Sequence, residues 1–332
     1  MFNYNIPNSK NQELLQEISK RKAQQRIYAP IIAKAISELS NVSDQTACAI
    51  YNCGTHISIS PSGRITGANF CRNRYCPICQ WRASRKVYGQ VAKIYDYIAM
   101  PESRFALLTL TIRNTVSLED GLAQCFEGLK RFTNSRKIKK SIQGWMRTLE
   151  ITYNEQSNTW HPHIHMLLHL ADGYFTASTL YLEQKDYETI WRTCVRADYI
   201  TQVDVRAIKD DVAGALAEVA KYAVKPSSVL TSHAEVETIR ELVAATYHRR
   251  LRSFGGSFKR AAKALNIQAD LVDELPQPSG SDTVYIYTHG KYVPKAFVPQ
   301  KELDTVAMAA ISLKTAQQTC NCCKIGGDVI AR

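Results

Sequence analysis

The stretch Trp160–Leu170, WHPHIHMLLHL, places histidines at 161, 163, 165 and 169, all on one parity. On a β-strand, residues two apart point to the same face. His163 and His165 therefore project side by side, with Ile164 facing the other way. Imidazoles so placed can grip one metal ion or one phosphate. His161 shares the parity, although Pro162 works against strand pairing beside it, and His169 falls at the strand's end. The preceding segment RTLEITYN, residues 147–154, also reads as a strand, and the turn-rich EQSNT between the two reads as a hairpin loop. A turn centred near Gln156–Ser157 sets Glu150 across from His163 on the shared face. That makes Glu150 a third donor of the kind a catalytic divalent ion needs; a register slip of one residue would remove it.

Two more strands flank this hairpin. FALLTLTI (105–112) alternates Leu108, Leu110 and Ile112 with Thr109 and Thr111, and YITQVDVRAI (199–208) follows later. Helical patterns fill the intervals at 117–140 and 179–195 and, with acids at its start and a stop at Pro226, at 210–225. The N-terminal 10–40 stretch is helical and mixed in charge, interrupted near Pro30, and TVYIYTHGKYV (283–293) is an aromatic strand. The fold class that follows is α+β, a central antiparallel sheet flanked by helices, with an N-terminal Cys-rich zinc-binding segment. Four regions are expected: a helical extension (1–45), a Cys-rich basic segment (46–100), the strand–helix domain (101–265) and a C-terminal extension of unassigned role (266–332).

Composition narrows the function. Hydrophobic residues make up 45% and charged residues 22%, a globular balance and not a disordered one. Lys and Arg outnumber Asp and Glu by 42 to 30, so a polyanionic partner is favoured, nucleic acid ahead of an anionic membrane surface. No run approaches the roughly 18 apolar residues of a membrane span, and MFNYNIPNSKNQELL has no apolar signal core. A cytoplasmic location is expected, where the ten cysteines serve as metal ligands or free thiols.

Four of those cysteines carry ligand spacing. Cys71, Cys76 and Cys79 stand in CRNRYCPIC with Cys53 upstream, a set suited to four-coordinate structural Zn2+, with His56 an alternative fourth donor. Arg72, Arg74, Arg82, Arg85 and Lys86 surround them as a candidate DNA-binding surface. A second basic segment carries Arg249, Arg250, Arg252, Lys259 and Arg260 around two glycines, either a contact to a nucleic-acid backbone or a solvated loop. Cys320, Cys322 and Cys323 form a further cysteine group in the tail, and Cys48, Cys125 and Cys194 read as core.

In LAEVAKYAVKP, Glu218 and Tyr222 lie at i and i+4 with Lys225 three further on, so all three can share a helical face. A phenol beside a carboxylate and an ammonium is a candidate covalent nucleophile for phosphoryl chemistry. It is weak at neutral pH, so a cation near the phosphate must supply most of the activation.

The order FCRNRYCPICQWRASRK, FALLTLTIRN, LEITYN…WHPHIHMLL, EVAKYAVKP, RRLRSFGGSFK resembles the rolling-circle replication initiators of small bacterial plasmids, single-tyrosine members of the HUH endonuclease superfamily. The likeness covers roughly residues 45–260. It implies that His163 and His165, with His161 in the motif, hold Mg2+ or Mn2+ against the scissile phosphate. It implies that Tyr222 nicks one origin strand, leaving a 5′-phosphotyrosyl link and a free 3′-OH. Glu218 then activates water for the second cut. Origin DNA, single-stranded or in hairpin form, is the implied substrate, and a host helicase with the replication machinery the implied partners. Glu150 as third ligand comes from the hairpin register and not from the family motif. Other readings are a zinc-dependent DNA-binding regulator without catalysis, a single-tyrosine transposase or relaxase, and, last, a two-histidine-one-carboxylate iron oxygenase.

Overall fold

The computed structural model describes residues 9–38, 44–221, 236–267, 275, 280–301 and 303. The elements in its first half are α1 (Ser9–Ser37), α2 (Asp44–Asn52), β1 (His56–Ile59), β2 (Ile65–Ala68), α3 (Pro77–Ile98), β3 (Phe105–Thr111), α4 (Leu118–Asn134), α5 (Arg136–Ser141) and β4 (Ile142–Asn154). There follow β5 (Thr159–Leu170), α6 (Gln184–Val195), β6 (Val203–Ile208), α7 (Val212–Ala220), α8 (Val236–Thr246), β7 (Arg252–Gly255), α9 (Gly256–Ala264), β8 (Thr283–Thr288) and β9 (Lys291–Pro294). They form two units: residues 1–82, 232–243 and 272–332, and residues 83–231 and 244–271.

The second unit is built on a five-stranded antiparallel sheet in the order β6-β3-β5-β4-β7. The β4–β5 register pairs Glu150 with His163 and Thr148 with His165, as the hairpin argument expects. A local device holds that register: the Asn154 side-chain oxygen accepts from the backbone N–H of Gln156 at 3.0 Å and of Ser157 at 3.2 Å, an Asx turn. On its other side β5 pairs with β3, Thr109 against His165 and Thr111 against His163.

Both faces of this sheet are covered. Ile164, Met166 and Leu168 are buried on one face, where α4 packs on β5 and against α6. There Phe132 meets Trp191 edge-on, ring centres 5.9 Å apart. The opposite core joins Val87, Val91 and Ile94 of α3 with Leu216 and Val219 of α7 and Phe258 of α9, around Phe105, Met146 and Leu167. Burial on both sides explains why the inner part of β5 reads as an apolar run. Each large side chain so buried contributes about 1.5–3 kcal/mol.

Three expectations for this unit need correction. The single helix over 117–140 is two, because Ser135 is extended (ψ 145°) and caps α5 by accepting from the Ile138 N–H, a serine preference that competes with helix continuation. The helix expected to run to Pro226 ends at Ala220, with Lys221 as its cap; residues 222–235 lie outside the described residues. The segment RSFG is an edge strand: Trp145 pairs with Gly255 and Thr148 with Arg252. Gly256 turns the chain at φ +56°, where a Cβ would sit 2.1 Å from the Gln143 carbonyl. Charge and paired glycines disguise the strand.

In the first unit the sheet order is β2-β1-β8-β9, so β1 pairs with a strand more than two hundred residues later, His56 against Ile286. TVYIYTHGKYV is a hairpin and not one strand. It reverses at His289 (φ 48°) and Gly290 (φ 80°), the pair of positive angles a tight two-residue turn requires. Helix α1 runs through Pro30 without ending. Burial of Ala29, Ile32, Ala33 and Ile36 on one side outweighs the hydrogen bond a mid-helix proline forfeits.

Candidate active site and metal centres

The Nε2 atoms of His163 and His165 converge on one oxygen, Glu150 Oε2, at 3.2 and 3.0 Å. The three side chains are 13%, 10% and 2% exposed, so the centre is recessed yet not sealed. Each imidazole is oriented from behind. His163 Nδ1 faces the His161 carbonyl at 3.3 Å; a carbonyl only accepts, so the ring proton sits on Nδ1. The Nε2 lone pair then points at a carboxylate oxygen, an arrangement that repels unless a proton or a cation lies between them. His165 Nδ1 meets Thr109 Oγ1 at 3.1 Å and lies 3.7 Å from Glu218 Oε1. Right-angled ligands on a small divalent ion at about 2.1 Å are roughly 3.0 Å apart, and the donors here match that spacing. Two imidazoles and a carboxylate, each held by further hydrogen bonds, fit such an ion.

Helix α7 brings Glu218 to this centre, and its last turn is fastened twice. Thr148 Oγ1 donates to the Val219 carbonyl and Ser84 Oγ to that of Ala220, both at 2.6 Å. Glu218 also pairs with Lys221. Tyr222 and Lys225 lie outside the described residues. His161 stacks on His163 with ring centres 5.2 Å apart, and burial, then the charge of His163, holds its pKa down. Its nitrogens are not in the group of donors that lie within 4.8 Å of one another.

In the first unit Cys53, Cys71, Cys76 and Cys79 come together. The Sγ separations Cys53–Cys79 and Cys53–Cys76 are 3.5 Å and Cys71–Cys79 is 3.6 Å. A disulfide needs about 2.05 Å, whereas sulfurs tetrahedral about zinc at roughly 2.3 Å lie about 3.8 Å apart. The Cys71 backbone N–H donates to Cys53 Sγ at 3.4 Å. Contacts with Cys53, Cys71 and Cys79 pull the Cys76 thiol well below its ordinary pKa. Contacts with Cys53, Cys76 and Cys79, together with burial, push Cys71 up. This set can hold a metal; His56 is exposed and outside it. Beneath it lies Lys22, 2% exposed, whose ammonium donates to the Cys53 carbonyl at 2.7 Å and Gln25 Oε1 at 2.8 Å. Burial lowers its pKa to about 8 against the opposing pull of Cys53 and Cys76. Cys125 and Cys194 are buried as expected and Cys48 half-buried; Cys320, Cys322 and Cys323 lie outside the described residues.

The basic residues divide by environment. Arg72, Arg74 and Arg85 are exposed and Lys86 half-buried, while the Arg82 guanidinium lies 3.9 Å over the Phe70 ring. Arg250, Lys259 and Arg260 are exposed, Arg249 pairs with Glu119, and Arg252 donates to the Lys221 carbonyl at 3.2 Å. Two contributors escaped the sequence reading. Thr109 orients His165, which its strand parity could have suggested. Arg147, 6% exposed, donates to Ser253 Oγ and to the carbonyls of Leu251 and Arg250, fixing the basic strand; nothing local in the sequence marks it. Among the described residues no helix is long and apolar enough to cross a membrane.

A family model described as a replication protein matches residues 62–289. The chain is 34% identical over 212 residues to a protein named "Protein rep" from Streptococcus pneumoniae serotype 2 (strain D39 / NCTC 7466), covering 61% of this chain and 66% of that one. It is 30% identical over 267 residues to "Protein rep" of Lactiplantibacillus plantarum, covering 75% and 82%. Over 224 residues it is 30% identical to "Protein rep" of Staphylococcus aureus, covering 65% and 95%. No solved structure matches.

Proposed function

This chain belongs to the replication protein family, and from that premise we propose that it initiates plasmid rolling-circle replication by nicking one strand of origin DNA. Tyr222 is the nucleophile. Its phenolic oxygen forms a bond to the scissile phosphorus as the bond to the 3′ oxygen breaks. The 3′ oxygen leaves as a hydroxyl that primes synthesis, and the 5′ phosphate stays on the tyrosine. One phosphodiester replaces another, so the strand can be rejoined without ATP.

His163, His165 and Glu150 would hold Mg2+ or Mn2+, which when bound stabilises charge developing on the phosphate oxygens. The remaining work falls to the protein. Thr109 and the His161 carbonyl keep both imidazoles aimed, and the fastened end of α7 keeps Glu218 beside them. Glu218, beside His165, accepts a proton from water in the second cleavage that ends the round. Cys53, Cys71, Cys76 and Cys79 take Zn2+ as a closed structural site. The exposed arginines and lysines bind phosphates in a salt-sensitive way. A host helicase completes the assembly at the origin.

The observation that carries this reading is the convergence of two Nε2 atoms on Glu150 Oε2 at 3.0 and 3.2 Å, with Glu218 3.7 Å behind. The test is a covalent-adduct assay with labelled single-stranded origin DNA and Mn2+ on a denaturing gel. A labelled band at protein size, absent in Tyr222→Phe and with chelator, is the expected result. Tight binding without adduct or cut under any metal would favour a zinc-dependent regulator instead.

A further inference from the structure

We propose that a cleft in the second unit, lined by Arg113, Asn114, Gln124, Arg196, Asp198 and Tyr199, seats one unstacked nucleotide of the cleaved strand; this rests on the nicking reading above. The cleft, about 200 Å³, is smaller than the roughly 300–1,000 Å³ of drug-sized ligand pockets and suits one planar base. Its place is set by the sheet. Arg113 follows Thr111, the partner of His163, by two residues, roughly 7 Å along a strand. Thr115 bridges to Trp160 beside His161. The cleft therefore lies just beyond the His161 end of the histidine strand, beside the layer formed by α4 and α6.

Its chemistry is that of a base site. The Arg113 guanidinium lies 4.7 Å over the Tyr199 ring, and the Tyr199 hydroxyl accepts from the Arg113 backbone N–H at 3.0 Å. A stacked guanidinium is a platform for an unpaired base. Gln124 donates to the Val195 carbonyl and Asn114 to Thr159 Oγ1, each at 3.1 Å, which leaves each amide oxygen to meet a base edge. Neither Arg113 nor Arg196 is ion-paired among the described residues, Asp198 included. Arg196 caps α6 at φ 56° and ψ 41°, a conformation glycine adopts without steric cost; keeping a long cationic side chain there points to a use for it. Val116 and Ile200, next in sequence to the lining residues Thr115 and Tyr199, are 80% and 82% exposed, apolar surface in the segments that form the cleft. A phosphate alone would need neither the ring nor the amides.

The experiment is fluorescence anisotropy in EDTA, so that no cleavage is required. Short labelled single strands tiled across the replicon's origin identify the tightest binder, which is then remade with one abasic site at each position in turn. Wild-type protein should lose about tenfold in affinity at one position, within the range for a stacked base. Arg113→Ala should bind the intact strand about tenfold more weakly and be indifferent to that abasic site. Arg196→Gly, which suits the positive φ and so keeps the fold, should weaken binding to every strand and lower the salt slope by about one. The cleft is ruled out if no position is sensitive, if the Arg113→Ala and abasic losses simply add, or if Arg196→Gly leaves affinity and salt slope unchanged. A Tyr222 adduct without coupling overturns the cleft alone; coupling without an adduct overturns the nicking reading and leaves the base site standing.

Discussion

The cysteine node of the first unit and the histidine strand of the second each gather ligand-type atoms within 4.8 Å of one another, from opposite materials. The node uses four thiols from turns and a helix start, as many as a tetrahedral shell needs. The strand offers three donors from two paired strands and, among the described residues, no fourth within that distance. A closed shell has nothing left for a substrate, whereas an incomplete one does. On the proposed reading, donor number, more than donor identity, separates a site that would hold shape from one that would do chemistry.

The largest effect expected from breaking this contrast is at the node. Cys53→Ser should abolish bound zinc and the first unit's melting transition, read by metal analysis and calorimetry, because structural zinc contributes about 10–16 kcal/mol in small sites. A variant that keeps its transition would reduce the node to a thiol core. Next in size, Glu150→Gln or His165→Ala should slow single-turnover cleavage about 10²–10³-fold with the melting temperature little changed. Loss of stability in step with activity would make the histidine centre structural as well. A smaller effect sharpens the node itself: Lys22→Met should speed zinc transfer to a chelator about 10–100-fold, the range for residues that support metal ligands. Equal rates would leave Lys22 a packing residue.

The smallest expected effect concerns pH. Burial, opposed by Asp172 and aided by Arg260, holds His169 below its ordinary pKa of 6.5. The unfolded chain therefore takes up this proton first. The contribution to stability is whole above pH 6.5 and is lost as pH falls through the folded value. His169→Gln should flatten the wild-type decline measured by denaturant unfolding below pH 6.5; an unchanged slope would assign the decline to other groups.

Legibility followed the range of the interactions. The Glu150–His163 pairing could be read because strand parity and a short turn are local, and Asn154 locks that turn with its own side chain. The Thr109 hold on His165 follows its strand parity only once β3 is known to pair with β5, and the Arg147 clamp depends on contacts that short-range patterns do not encode. Pro30 misled because its penalty is local while the burial that overrides it is tertiary. The tight His289–Gly290 turn escaped because flanking tyrosines make both arms look like one strand. Tyr222, the proposed nucleophile, lies outside the described residues.

The pairing of β1 with β8 also has a consequence in time. A ribosome adding about 5–20 residues per second releases β1 roughly ten to forty seconds before the strand that will cover its edge. During that interval the whole histidine sheet can be made and folded while the cysteine unit's sheet is still missing two of its four strands. A nascent chain of this protein is therefore expected to acquire its histidine hairpin well before its first sheet is complete, and a transcript cut short of Thr283 would leave β1 with an open edge for other chains to join.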